Sequence, residues 1–243
     1  MDIDKVVKIQ FNVRPLRWLV NVLGGFMLLS MVACPAVAGN LPPPPIVRIL
    51  SVAERAKLEQ IAFIELEIMS RPGTAANFPV KAVATILVHE AHEAQLDPLF
   101  VLAVIETESN FDLEACSPAK AKGLMQILPS TFASLNPTGS IFDPVENVRA
   151  GIRYLALLGT SFRRPESILM AYNGGPGKAG RYLKAQAAGD DYPIPHEMRT
   201  YPHKVMSKYK RLLVKTGQKP ANAHKLFKVS NTPVMVASVG KQP

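Results

Sequence analysis

The sequence predicts an all-α protein, mainly helical and α+β at most. Apolar residues recur at helical spacing in one segment after another, and strand-like pieces are short. Asp97-Pro98, Asp143-Pro144 and Pro165-Glu166 punctuate the chain as helix starts, because Asp caps a helix and proline suits its first position. Hydrophobic residues make up 48% of the chain and aromatic ones only 7%, which fits a helical globular domain with an added apolar leader. A length of 243 residues allows one sizeable domain with extensions. There are no internal repeats.

Residues 1–38 read as a signal peptide. Lys5, Lys8, Arg14 and Arg17 form a basic start, Trp18 to Ala33 an apolar segment, and Ala36-Val37-Ala38 a small-residue cleavage site. The apolar run is short of the ~20 residues that a spanning helix needs, so export to the periplasm is expected rather than retention on an uncut anchor. The alternative is a membrane-anchored lipoprotein with its lipid on Cys34, a pattern weakened by Met31 and Pro35. The net charge is +9, and loss of the leader leaves the chain strongly basic. That suits a polyanionic partner such as the bacterial wall with its phosphate polymers. Nucleic acid is not expected, given the export signal and the absence of any nucleic-acid motif. Only two Cys are present. With the leader cut, Cys116 has no partner, so the fold must rest on its core. Cys116 itself is expected to be a small buried residue and not a nucleophile, since no His stands in a cysteine-protease context.

Residues 39–50 are a Pro-rich linker, stiffened by Pro42 to Pro45. Residues 51–81 are an N-terminal helical extension. Ser51 and Glu54 have capping-box spacing, and Leu58, Ile61, Ile64 or Leu66, and Ile68 offer a buried stripe up to about Ser70. Arg71-Pro72-Gly73 ends that helix, and a second follows Phe78-Pro79 to Ala94 with Val83, Ile86, Leu87, Ala91 and Ala94 on one face. His89-Glu90-Ala91-His92-Glu93 lacks the spacing of a zinc motif and reads as a solvated polar face. No metal and no cofactor are expected.

The domain of residues 82–216 is built on Leu99 to Ile105, a run with no polar face, which belongs in a core. It delivers Glu106, Thr107 and Glu108 to the end of a buried helix. A carboxyl group there is partly stripped of water, which raises its pKa towards that of a general acid. Residues two apart point to roughly opposite sides, so only one of Glu106 and Glu108 faces a cleft, and the other meets solvent or a cation. Gly123 to Leu135 reads as a helix, with Leu124, Ile127, Leu128, Phe132 and Leu135 at helical spacing. The helix after Asp143-Pro144 turns Val148, Ile152, Leu155 and Phe162 inward. A shorter one runs from Pro165 into Ala171-Tyr172-Asn173, Gly174 to Gly177 is a turn, and Lys178 to Ala187 resumes as helix. A basic helix from about Thr200 to Lys215 closes the domain. Residues 217–243 form a loose basic tail, in which the apolar run Val234 to Val239 has no assigned role.

Several separated motifs stand in order: Glu108-Ser109-Asn110-Phe111, Ser117-Pro118, Gly123-Leu124-Met125-Gln126, Pro129, Ala171-Tyr172-Asn173-Gly174-Gly175, and Glu197-Met198-Arg199-Thr200-Tyr201. Together, over roughly residues 82–213, they resemble the lytic transglycosylases of the soluble (SLT) type in the lysozyme-like superfamily. The resemblance implies the SLT catalytic-domain fold and peptidoglycan glycan strands as substrate. It implies non-hydrolytic cleavage of the β-1,4 bond between N-acetylmuramic acid and N-acetylglucosamine, leaving 1,6-anhydro ends. It makes Glu108 the catalytic acid. It gives substrate-binding or orienting roles to Ser109, Gln126, Tyr172, Asn173, Glu197 and Tyr201. Tyr172 is expected to hold its phenol near Glu108, and Glu197 and Tyr201 to line the far side of the groove. The mechanism the resemblance implies lets the substrate's acetamido group meet the developing positive charge, so a second catalytic carboxylate is not required, and Asp112 and Glu114 read as solvated and Asp143 as a cap. The alternatives are a lysozyme-like hydrolase and a wall-binding accessory subunit of an envelope-spanning secretion or conjugation apparatus. Lys120 stands where the family often has Gly, and Met198 and Pro202 depart from the family pattern around Glu197 and Tyr201.

Overall fold

The computed structural model describes residues 50–71 and 77–218. The expected leader 1–38 with Cys34, nearly all of the linker 39–50, and the tail beyond residue 218 lie outside the described residues. Within them the regular structure is helical, with two isolated antiparallel bridges, Cys116 with Lys122 and Lys122 with Ile127.

Helix α1 (Val52–Met69) begins at the expected capping box, in which the Ser51 hydroxyl accepts from Glu54 N–H and the Glu54 carboxylate accepts from Ser51 N–H. Ile64 and Ile68 enter the core, whereas Leu58 and Leu66 are exposed, so the buried stripe is narrower than the sequence offers. Helix α2 (Val80–Glu93) buries Val83, Leu87 and Ala91 and packs against α1 and, further along the chain, α5. Its polar face is not simply solvated. His92 pairs with Gln60 of α1 at 2.8 Å, and Glu90 accepts from Arg149 of α5 at 2.9 Å, so this face meets neighbouring helices, while His89 and Glu93 are exposed.

Helix α3 (Pro98–Glu108) is buried from Pro98 to Glu106, as an all-apolar run requires. Asp97 caps it through Leu99 N–H at 2.8 Å. The same carboxylate accepts the Tyr209 hydroxyl at 2.6 Å, and the Tyr209 ring meets Phe100 edge-on, which fastens α3 to α8.

The expected helix from Gly123 to Leu135 is only α4 (Pro129–Ser134). Lys122 and Ile127 exchange both backbone hydrogen bonds at 3.0 Å, and Gly123 and Gln126 take φ of 72° and 48°, which closes a tight turn. Pro129 then starts the helix afresh. Tertiary contacts hold the turn. Asn147 of α5 is fully buried; it accepts from Met125 N–H at 2.8 Å and donates to the carbonyls of Lys122 and Ile141 at 3.0 and 2.7 Å. Asn147→Ala would orphan Met125 N–H and Ile141 O, while Lys122 O keeps its bond from Ile127 N–H, and is expected to cost about 2 kcal/mol in urea unfolding. Lys120 has φ of 66°, a left-handed conformation in which Gly is unstrained. The loop keeps the glycine-like conformation without the glycine.

Helix α5 (Pro144–Ser161) starts at Asp143, whose side chain accepts from Val145 and Glu146 N–H. Helix α6 (Pro165–Gly174) and α7 (Pro176–Ala188) are separated only by Gly175 at φ 83°, a shorter break than the expected four-residue turn. Helix α8 (His196–Lys215) begins four residues before the expected Thr200. Buried Met198 anchors the early start; it packs where a Cβ on Gly174 would stand, so this departure from the family pattern is matched by a glycine opposite. Pro202 consequently lies inside the helix, where it removes one backbone hydrogen bond. Cys116 is exposed and not buried as expected, because it sits on the outer strand-like edge of the 116–127 turn.

Candidate active site

Glu108 is the last residue of α3, and the chain leaves the helix immediately after it. Ser109 forms the cap. Its N–H and its hydroxyl both donate to Ile105 O, and the hydroxyl oxygen accepts from Phe111 N–H at 3.1 Å. Asn110 and Phe111 are both left-handed, at φ 49° and 68°, and the turn buries Phe111 edge-on against Phe78. Glu108 is thereby left at the lip of the core, half-buried.

The Tyr201 hydroxyl of α8 donates to Glu108 Oε1. Its ring stacks on Tyr172 of α6, with centroids 6.5 Å apart and planes 10° from parallel. Tyr172 in turn packs against Tyr154 of α5 at 5.4 Å. Three helices thus line up a file of rings beside the carboxyl group. The phenol on Glu108 is Tyr201's. The Tyr172 hydroxyl donates to Met125 O at 2.8 Å, and the phenol feels the charge of Glu108 without bonding to it. Burial drives the phenols of Tyr172 and Tyr201 well above their usual range, so both remain donors.

Burial is also the main influence on Glu108 and pushes its pKa up to about 7. The Tyr201 hydrogen bond opposes the rise, the like charge of Glu197 adds to it, and Lys208 opposes it more weakly. Glu197 itself is exposed in the first turn of α8. Its field reaches Glu108, so a second carboxylate does stand near the first. Asp112 and Glu114 are exposed, as expected.

Glu106 points the other way and meets cations. Arg71 grips it with two bonds of 3.1 and 2.9 Å, Arg211 donates at 2.6 Å, and Lys208 stands 3.7 Å away. Its oxygens are thus taken up by guanidinium donors, which leaves Glu108 as the carboxyl group free for chemistry. Gln126 turns its amide nitrogen to the carbonyls of Ala115 and Gly123 at 2.9 and 3.0 Å, so that end holds the loop. Asn173 is half-buried near the end of α6.

Tyr154 and Lys208 had no place in the sequence reading. Lys208 carries a recoverable signal, since Glu197, Tyr201 and Lys208 fall at i, i+4 and i+11 on one face of α8. A helix started at Thr200 leaves Glu197 off that face. Among the described residues, no group of three or more His, Cys, Asp or Glu side chains is placed to hold a metal ion.

Residues 87–194 match the family model of the transglycosylase SLT domain. The chain is 33% identical over 147 residues to membrane-bound lytic murein transglycosylase C of Salmonella paratyphi B, across 46% of this chain and 41% of that one. Salmonella typhimurium carries a relative of the same name at the same identity. The chain therefore spans about two fifths of the length of these relatives. Among solved structures, it resembles an inactive Glu-to-Gln mutant of lytic transglycosylase Slt from Pseudomonas aeruginosa, with TM-score 0.51 and 27% identity over 62% of this chain and 27% of that one. It also resembles the 70-kDa soluble lytic transglycosylase of Escherichia coli, with TM-score 0.51 and 21% identity over 71% of this chain and 31% of that one, a likeness of fold alone. The helical SLT-domain fold expected from the sequence is the fold found.

Proposed function

We propose, from the match of residues 87–194 to the transglycosylase SLT domain, that this protein is a peptidoglycan lytic transglycosylase with Glu108 as its single acid and base. One observation carries the reading: a half-buried carboxyl group at a helix end, under a tyrosine hydroxyl, with its pKa raised to about 7. A group with that proton affinity gives and takes a proton near neutral pH with little driving force in either direction.

In this mechanism Glu108 donates its proton to the oxygen bridging N-acetylmuramic acid and N-acetylglucosamine. The C1–O4 bond breaks as that oxygen leaves. The muramic acetamido group meets the positive charge developing at C1. Glu108, now a carboxylate, takes the proton of the C6 hydroxyl, and O6 closes on C1. The ring becomes 1,6-anhydro and Glu108 regains its proton. No water is consumed. Tyr201 orients the carboxyl group, the rings of Tyr172 and Tyr154 border the sugar path, and Ser109 and Gln126 hold the backbone turns on either side. Asn173 and Glu197 would contact the sugars.

The test is mass spectrometry of muropeptides released from purified peptidoglycan. Anhydro ends are expected. Reducing ends would mean hydrolysis, a reading that Glu197 near Glu108 keeps in view because two carboxylates serve such enzymes. No release would mean a wall-binding subunit of an envelope-spanning apparatus.

Tyr201→Phe removes a bond that favours the carboxylate, so the pKa of Glu108 should rise. The alkaline limb of kcat/KM is expected to move up by about 1 pH unit, with a roughly tenfold loss of rate at neutral pH. A pH-rate profile reads both.

The setting is proposed to be the bacterial envelope. The Salmonella relatives bear the name membrane-bound, and among the described residues no helix is long and apolar enough to cross a membrane.

A further inference from the structure

Lys208 has no part in the chemistry above, yet it is the cation set closest to the end of α3 by a direct bond. Its Nζ donates to Glu106 O at 2.8 Å. That carbonyl lies in the last turn of α3, where the helix supplies no N–H of its own. The ammonium stands 3.7 Å from the Glu106 carboxylate, too far for a hydrogen bond, because Arg71 and Arg211 occupy both oxygens. Arg71, which also pairs with Glu67 at 3.3 Å, and Arg211 leave Lys208 without a hydrogen bond to either carboxylate. Its ammonium is instead fixed at the negative end of the helix whose final residue is Glu108.

We propose that Lys208 is a positioning residue: pinned to the carbonyl of Glu106, it fixes the last turn of α3 and holds a positive charge beside Glu108 that favours the carboxylate. The inference rests on the reading of Glu108 as the acid.

The surrounding charges define what the test must separate. Tyr201, Glu197 and Lys208 of α8 act on Glu108, and Glu108 in turn acts on Tyr172 of α6. Glu106 of α3, Arg211 of α8 and Arg71 beyond α1 act on Lys208. Glu67 and Lys215 close the outer side of the group, the latter pair at 2.5 Å. Among the described residues, Tyr201 and Lys208 favour the ionised form of Glu108, and they do so by different means, a hydrogen bond and a charge.

The experiment is a carboxyl-carbon NMR titration of Glu108 in the purified protein at low salt, with the resonance assigned by its loss in Glu108→Gln. Lys208→Met removes the charge and the donor. Lys208→Gln removes the charge but keeps a donor for Glu106 O, and serves if the Met variant does not fold. Both are expected to raise the midpoint of Glu108 by about 0.5 pH unit, less than Tyr201→Phe does, and Lys208→Arg to keep it near the original value. The alkaline limb of muropeptide release should move by the same interval. An unmoved midpoint in both uncharged variants would overturn the proposal. The midpoint is read without substrate, so this outcome is distinct from failure of the catalytic reading, which would appear as cleavage surviving in Glu108→Gln.

Discussion

Glu108→Gln is expected to abolish release of anhydro-muropeptides while making the protein more stable above pH 7. The loss of activity follows from the double duty of the residue, since Gln neither gives nor takes the proton. General acid and base steps contribute on the order of 10²–10⁴-fold each, so release should fall below detection. Binding to the wall should persist, because Gln has nearly the shape of Glu and can still accept from Tyr201. The gain in stability follows from linkage. Glu108 holds its proton up to about pH 7 in the fold, against an ordinary value of 4.5. The folded state therefore binds more protons than the unfolded chain between these values. Stability from this group is full below pH 4.5 and is lost as pH rises through 7. A rise of this size corresponds to at most about 3 kcal/mol. Thermal melts of the two proteins should nearly coincide at pH 4.5, diverge through pH 7, and then stay apart with the Gln variant higher. Melts that stay together at pH 8 would mean that the carboxyl group is well solvated, and the case for it as the acid would fail.

The sequence made α3 and α5 legible because their information is local. An Asp-Pro start fixes the first turn, and an unbroken apolar run leaves α3 no place but the core. The turn from Gly123 to Leu128 was not legible. Its apolar residues have helical spacing, but Asn147 and Tyr172, distant in sequence, hold Met125 in another conformation. The start of α8 was hidden for a similar reason. Pro202 argues locally against a helix through it, and burial of Met198 and Tyr201 outweighs that single lost bond. The early start of α8 is also what brings Glu197 onto the face that holds Tyr201 and Lys208, whereas the bond from Tyr201 to Glu108 depends on how α8 packs on α3. Local pattern left one of the two glutamates to meet solvent or a cation, and the family resemblance chose Glu108 as the acid. The packing of α1 and α8 onto α3 supplies the cations that Glu106 meets.

That choice has a measurable consequence of opposite sign. Glu106→Gln, two residues from Glu108 on the same helix, is expected to destabilise the protein at every pH where Glu108→Gln stabilises it. The Glu106 side chain is 5% exposed and carries bonds from Arg71 and Arg211, with Lys208 beside it. Neutralising it leaves three cations facing one another at the junction of α1, α3 and α8. Breaking a buried ion pair from one side costs about 3–5 kcal/mol. Partial exposure of Lys208 and Arg211 relieves some of the repulsion, so the lower end, about 3 kcal/mol, is expected here. Melts at pH 8 should show the two variants displaced in opposite directions, each by several degrees. The variants also separate scaffold from chemistry. Glu106→Gln should retain cleavage at a temperature where it remains folded, because none of its atoms belongs to the proton path. A Glu106→Gln protein that melts like the parent would mean that Arg71 and Arg211 find water instead, and that α1 is not fastened to the catalytic helix through this residue.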